Sequence, residues 1–323
     1  MASMGLSSRS IIGNFYQMLE AGLGSAWFNG AVWEGTSDQQ YEEYRFLDQV
    51  PAMRRRGGAD KPETLQSKRI VIANDEYESS LIIPTSDLRR DKTGQIMARV
   101  GQLADRAISF FDSRLMSLVL SGTATTTYGA CYDGQAFFST THSEGDSGTL
   151  KNIVTNTEVP SLNVADPAAP TELEMSQAIL NTAMYFFTYK DDKGEPMNGE
   201  AREFTVVCNP SIAGAALGGI YNATVAGASG NTTANALYGL TQRGWKFNLV
   251  PSPRVTTAAD FYTFRTDGRT KPLIRQQEVG VTMKALGLGS EYETKNDASF
   301  YGVRWVGGFG YGQWQHAIKA TLS

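Results

Sequence analysis

The spacing of apolar residues changes along this chain, and each change predicts a different element. Between Thr85 and Ser121, Ile96, Val100, Leu103, Ala107, Phe111, Leu115 and Leu118 recur in steps of three and four, the pattern of a helix with one buried face. Thr85 or Ser86, directly after Pro84, suits the cap, Asp87 suits the positive end of the helix, and Gly122 stops it. Gly94 and Gly101 weaken the run, so a break is expected near Asp91–Gly94. Unbroken, roughly 35 residues would reach about 50 Å, long for a compact enzyme but suited to a strut. Just before it, Lys68–Pro84 (KRIVIANDEYESSLIIP) sets two β-branched runs around Asn74-Asp75-Glu76. That pattern predicts a hairpin, and its charged flanks mark it as a projecting ribbon.

The second half alternates. Val159–Pro170 carries three prolines and reads as a linker into a new module. Thr171 followed by Glu174 forms a capping box for a helix to Thr188, with Leu173, Ile179, Leu180, Ala183 and Phe187 as its apolar stripe. Glu203–Cys208 (EFTVVC) is a buried strand stopped by Asn209-Pro210, and Ser211–Leu217 starts a short helix. Tyr221–Asn235 is rich in Gly, Ala, Asn and Thr and is expected to be a mobile loop. Trp245–Val250, Phe261–Arg265 and Leu273–Val279 read as strands, and Glu291–Lys319 as a longer β element with a turn at Asn296-Asp297. No repeat of fixed period is visible. The order of elements makes the chain α+β.

Residues 1–60 fit neither period. They hold Phe15, Tyr16, Trp27, Phe28, Trp33, Tyr41, Tyr44 and Phe46, broken by glycines, Pro51 and the run Arg54-Arg55-Arg56-Gly57-Gly58. An arm of this kind either becomes ordered by lying across another surface through its aromatic anchors, or forms a loop-rich edge of the same core.

Composition narrows the functional classes. The chain has 323 residues, and a compact chain of about that size hides about 75% of its unfolded surface, enough for a core without metal or disulfide. Twenty-nine basic residues against 33 acidic ones give a net charge of −4, which argues against a protein whose main task is gripping nucleic acid. Cys131 and Cys208 stand far apart with no Cys/His cluster, so neither zinc nor any other metal or cofactor is expected, and a reducing compartment fits. The N-terminus lacks the apolar run of a secretory signal, and no stretch approaches the roughly 20 apolar residues of a membrane span.

Candidate chemistry is sparse. Cys131 and His142 are imaginable as a thiol nucleophile and its base, but no helix start places the cysteine, and a buried thiol beside a hydrogen-bonded histidine explains them better. Gly308, Gly310 and Gly312 evoke a phosphate loop, yet they lie among Phe309, Tyr311 and Trp314 with no lysine or helix following. Asp75, Glu76 and Glu78 fit a solvated hairpin tip better than a calcium site. Arg54, Arg55 and Arg56 form too short and unsupported a run for a nucleic-acid patch, and read either as partners for carboxylates on a neighbouring subunit or as a solvated charge run.

Two segments carry a resemblance. Tyr132, Asp133, Gly134, Phe137, Phe138, Ser139, Thr140 and His142, within CYDGQAFFSTTH, and Tyr301, Gly302, Val303, Gly310, Tyr311, Gly312, Trp314 and Gln315 near the end resemble the Mu-like phage major head subunit family. The arm, hairpin and long helix precede them in that family's order. The resemblance implies an α+β, HK97-type capsid fold. Residues 1–60 would be the N-terminal arm, 61–84 the extended hairpin loop, 85–165 a peripheral domain with its spine helix, 166–268 an axial domain whose loops meet at five- and sixfold centres, and 269–323 the return to the peripheral domain as its long sheet. It further implies a non-enzymatic structural protein that self-assembles through pentamers and hexamers into an icosahedral phage or prophage head enclosing double-stranded DNA. Assembly would take place in the bacterial cytoplasm, with head maturation by re-docking of arm and hairpin. Expected partners are a separate scaffolding protein (the start at Met1 shows no internal scaffold segment), the portal, a decoration protein, and packaged DNA contacted without sequence preference. Trp27, Trp33, Arg54, Arg55, Arg56, Arg69, Glu76 and Glu78 are the inter-subunit contact candidates. An encapsulin-like compartment is the alternative of the same fold, and a Cys131/His142 hydrolase the alternative from another class.

Overall fold

The computed structural model describes residues 8–47, 67–90, 94–226, 232–287 and 289–323. Helix α1 (Ser8–Gly24) leads into β1 (Val32–Thr36), β2 (Tyr41–Leu47), β3 (Ser67–Ala73) and β4 (Asp75–Pro84). The short α2 (Thr85–Arg90) and the 26-residue α3 (Gln95–Leu120) follow. After three two-residue strands, β5 (His142–Ser143), β6 (Thr149–Leu150) and β7 (Ile153–Val154), come α4 (Glu172–Tyr185), β8 (Glu203–Cys208), α5 (Pro210–Tyr221), β9 (Thr224–Ala226), β10 (Thr232–Ala234) and α6 (Ala236–Thr241). The chain closes with β11 (Lys246–Pro251), β12 (Asp260–Arg265), β13 (Leu273–Leu286), α7 (Glu291–Asn296), β14 (Ala298–Tyr311) and β15 (Ala317–Thr321).

Two sheets organise these elements. A four-stranded sheet runs β1-β13-β14-β4, and a five-stranded sheet runs β11-β8-β12-β15-β7. Helix α3 spans both cores. Its first half packs Val100, Leu103 and Ala104 with Ile11, Phe15 and Leu19 of α1 and with Met283, Tyr301 and Val303 of the long strands. Its second half sends Phe111, Leu115 and Leu118 into the larger core shared with α4, α5 and the five-stranded sheet. The expected apolar stripe is therefore the one buried, and the expected break exists: Gly94 has φ 72° immediately before α3. That left-handed conformation suits glycine and stands at the start of α3. The capping box at Thr171 and Glu174 is present in both directions.

Several expectations fail for identifiable reasons. The runs at Lys68–Ala73 and Asp75–Pro84 do not form a hairpin with each other. Only Asn74 separates β3 from β4, whereas a tight antiparallel reversal needs about two residues. Strand β3 pairs instead with β2, Tyr41 opposite Ala73 through Leu47 opposite Ser67, while β4 pairs with β14 at the edge of the four-stranded sheet. The ribbon is therefore β2–β3, and Asn74 fastens its base. The Asn74 backbone amide donates to Gln40 O, its side-chain amide donates to Gln39 O and Ser37 Oγ, and its Oδ1 accepts from Gln276.

The arm is also more regular than its aromatics suggested. Ile11, Phe15 and Leu19 lie four apart and bury one face of α1, so the arm from Ser8 onward packs on its own chain. Within the linker segment, Pro160–Leu162 forms a 3-10 turn, Leu162 is buried, and the Leu162 carbonyl accepts from the Ser323 amide. Strands β9 and β10 pair across part of the expected loop. Glu291–Asn296 is a helical turn capped by Ser290, not a strand, with Asp297 left-handed after it. Finally, β15 leaves the long sheet and pairs with β12 and β7.

Strand β14 explains the glycines that had evoked a phosphate loop. Tyr301, Val303, Trp305, Phe309 and Tyr311 are buried toward α3, and the opposite face carries Gly308 and Gly310. A Cβ on Gly308 would lie 2.3 Å from Ala73 O, and one on Gly310 would lie 2.4 Å from Ile72 Cδ1. The bare face is where the ribbon base rests. Gly310→Val is therefore expected to lift Ile72 off β14, destabilising the subunit by about 1–3 kcal/mol as an overpacked site. Limited proteolysis should then cut the ribbon faster than in wild type, while cleavage around α4 stays unchanged.

Candidate assembly surface and the lock beneath it

The two segments that carried the resemblance meet in space. His142 is fully buried and its ring stacks on Trp314 at 3.9 Å with an interplanar angle of 3°. Its Nδ1 lies 2.5 Å from Asp133 Oδ2 and its Nε2 lies 3.2 Å from Asn152 Oδ1. Phe137 stacks on Tyr311 at 4.7 Å, the Tyr311 hydroxyl donates to Leu118 O, and Tyr132 and Gln315 exchange hydrogen bonds. Asn152 works as the hub. Its Oδ1 accepts from the Ser139 amide, and its Nδ2 donates to Phe137 O and to Trp314 O. A buried amide with this many partners fixes one arrangement, because losing any partner strands a polar group out of water. Nothing in sequence marked Asn152; its only signal is a lone amide in the stretch Lys151–Val154, which otherwise enters a strand.

This geometry disposes of a Cys–His nucleophile pair. The Cys131 thiol is buried and donates to Gly312 O at 3.6 Å, and burial pushes its pKa well up, away from thiolate. Both nitrogens of His142 are engaged by Asp133 and Asn152. Among the described residues no group of three His, Cys, Asp or Glu is placed to hold a metal ion. No helix of the described residues is long and apolar enough to cross a membrane.

What the lock leaves outside is surface without an obvious partner. The outer face of the ribbon shows Tyr41 and Val71, 58% and 55% exposed, beside Glu43, Arg45 and Arg69. Glu43 pairs with both arginines, at 3.0 and 3.4 Å. Exposed pairs of this kind contribute only about 0–1 kcal/mol each, so they are available for exchange with another chain. A second apolar patch is Leu217 and Tyr221, one turn apart on α5 and both more than half exposed.

The contact candidates named from sequence fall in different places. Trp33 is 43% exposed and meets Tyr44 edge-on at 5.5 Å. Arg69 lies on the outer ribbon face. Glu76 pairs with Arg304 at 2.6 Å, and Glu78 is exposed beside it on β4. Trp27 is half buried within its own chain, its Nε1 donating to Asp112 Oδ1 at 2.8 Å and its ring against Phe28 and Phe264. Arg54, Arg55 and Arg56 lie outside the described residues.

Residues 14–167, which hold the arm, ribbon, α3 and the Cys131–His142 segment, match the model of the Mu-like prophage major head subunit gpT. Over that stretch the chain is similar to the Mu-like major head subunits. The Mu-like prophage FluMu major head subunit of Haemophilus influenzae is 28% identical over 138 residues, 42% of this chain and 44% of that protein, so the match spans less than half of that relative. In fold, the chain aligns over its whole length with 77% of a subunit from the procapsid of bacteriophage JBD30, at TM-score 0.53 and 17% identity. It aligns over 92% of its length with 88% of a subunit from the capsid of cyanophage P-SCSP1u, at TM-score 0.56 and 12% identity. The fold is accordingly the HK97-type fold of phage capsids, in mixed helix and sheet.

One buried histidine gives this fold a pH dependence. His316 lies beside Arg265 and Lys271, its Nδ1 has no hydrogen-bond partner, and burial depresses its pKa from 6.5 to about 3, Arg265 adding to the effect and Asp267 opposing it. The ring is neutral in the fold, whereas the unfolded chain takes up a proton below pH 6.5. Stability is thus fully present above that pH and lost as pH falls toward 3. Between pH 6.5 and 5 the loss is at most about 2 kcal/mol. Urea unfolding at the two pH values should show it, and His316→Gln should flatten the difference; an equal slope in both proteins would remove His316 as its source.

Proposed function

We propose that this chain is the major shell-forming subunit of a tailed-phage or prophage head, a structural protein that tiles by itself and encloses double-stranded DNA. The observation that carries the reading is the Mu-like head-subunit match across the arm, ribbon, α3 and lock-forming segment, on a chain whose whole length has a capsid fold. The physics agrees: the lock and two cores hold the subunit together, while the ribbon's outer face and the α5 patch expose Tyr41, Val71, Leu217 and Tyr221.

In this reading α1 and β1 form the arm, β2–β3 the extended loop, and α3 with the four-stranded sheet the peripheral domain. The five-stranded sheet with α4, α5 and α6 forms the axial domain. Leu217, Tyr221 and the β9–β10 hairpin face the five- and sixfold centres. Trp33, Arg69, Glu76 and Glu78 contact neighbours, with Arg54, Arg55 and Arg56 supplying forks for their carboxylates. Trp27 acts from beneath, holding the arm against α3. Shells of this kind gain stability from many weak contacts repeated by symmetry, so their stability depends on subunit concentration. A separate scaffolding protein, the portal and a decoration protein complete the assembly in the host cytoplasm. No enzymatic step is required.

Negative-stain electron microscopy with sedimentation velocity tests the reading. Closed icosahedral shells, or tubes and sheets of hexamers, are expected, and a particle diameter large enough for a genome separates a head from a small encapsulin-like compartment. The double variant Tyr41→Ser, Val71→Lys keeps the Glu43 pairing and should fold with an unchanged melting temperature yet close no shells. A monodisperse monomer or dimer of the wild type, still unassembled with scaffold present, overturns the proposal.

A further inference from the structure

We propose that a groove along the outer face of α3 binds the phosphate backbone of nucleic acid. The groove is about 390 Å³ and is lined by three arginines (Arg106, Arg114 and Arg254), three serines of α3 and the edge of Phe110, with no acidic residue among them. In a chain of net charge −4 this is a local reversal of sign. Resting on the shell reading above, the assignment names the part of the subunit that meets the packaged duplex.

The arginines are placed for such a ligand. Arg254 is held by Asp112, its Nε donating to Oδ2 at 2.9 Å, and it reaches toward Ser109 Oγ at 3.4 Å. The other oxygen of Asp112 accepts from Trp27, so this carboxylate is already occupied. Arg114 lies over Tyr77 and Phe110, 4.9 and 5.6 Å from their ring centres. A guanidinium held over aromatic rings can still offer N–H donors to two oxygens of a phosphate. Among the described residues neither Arg106 nor Arg114 has a carboxylate partner within ion-pair distance.

The serines favour a repeating polymer over a single anion. Ser109, Ser113 and Ser117 are spaced by four, so their hydroxyls line one face of the helix over about 12 Å. Along one strand of a duplex, phosphates recur about every 3.4 Å of axis, and hydroxyls as well as arginines commonly position the backbone. The row therefore spans about three or four phosphates. Contacts made to phosphates carry no sequence information, so binding should be indifferent to sequence.

The test uses the soluble, unassembled full-length subunit and a fluorescently labelled 24-base-pair duplex, followed by anisotropy between 25 and 200 mM salt. Binding should weaken with salt at a log–log slope of about −2 to −3, close to 0.9 per phosphate neutralised. Arg106→Gln and Arg114→Gln, both at exposed positions, should each reduce that slope by about 1 and together weaken binding about tenfold or more at 50 mM salt. Circular dichroism melts equal to wild type, and shells that still form from the double variant, would tie the loss to the groove alone. Absence of duplex binding, or a double variant that binds as well as wild type, overturns the proposal. Binding of polyglutamate through the same two arginines with no binding of the duplex overturns it too, in favour of an acidic protein segment. Because binding is read without assembly, failure of the wild type to form shells would count against the shell reading and leave this result standing.

Discussion

One strand, β14, sets the terms for the rest of the molecule. Its two faces take neighbours of opposite bulk: Tyr301, Val303, Trp305, Phe309 and Tyr311 on one side, Gly308 and Gly310 on the other. The aromatic face fixes α3, with Phe111 edge-on to Trp305 at 5.2 Å and Tyr311 bonded to Leu118 O. The bare face admits the base of the ribbon. Because side chains alternate in a strand, a register slip of one residue would drive aromatics into the ribbon and leave a void against α3. Register in β14 thereby fixes strut and ribbon together.

The lock continues this arrangement past the end of the strand. The chain leaves the four-stranded sheet at Tyr311, makes a 3-10 turn at Trp314–His316 and enters the five-stranded sheet as β15. At that crossing Trp314 lies against His142, and Asn152 and Asn198 bond to the carbonyls of Trp314 and Gln315. Irregular backbone buried between two sheets must have its polar groups satisfied, and asparagine side chains do so where no strand can. The two sheets are coupled through side-chain amides, and the short segment between them is stiff.

How much of this was legible in the sequence depends on how local the cause was. The stripe of α3, the break at Gly94, the capping box at Thr171 and the buried strand at Glu203–Cys208 rest on neighbours within a few residues, and all are present. The β3–β4 hairpin failed because two β-branched runs were paired by proximity, when a one-residue gap forces each to seek a distant partner. Helix α1 was obscured because its aromatics drew attention from the spacing of Ile11, Phe15 and Leu19. The lock lay beyond reach for another reason. The segments Cys131–His142 and Tyr311–His316 carried a resemblance but no sign of which side chains meet, and tertiary contact is what shows that Asp133, His142, Asn152 and Trp314 form one cluster.

The division between satisfied interior and unsatisfied exterior then follows from the same economy of space. Large side chains concentrate where α3 and β14 meet and in the lock, so the subunit core needs no partner to close. The ribbon is two strands wide, and an isolated pair of strands is marginal in water. Its inner face is supported at Ile72 through β14 and Gln276, at Tyr44 through Trp33, and at Lys68, whose ammonium lies 5.8 Å from the Tyr132 ring. Its outer face leaves Tyr41 and Val71 more than half exposed. Glycines on β14 seat this ribbon while tyrosine and valine face outward on it, and that outward face is where the proposed shell reading puts a neighbouring subunit.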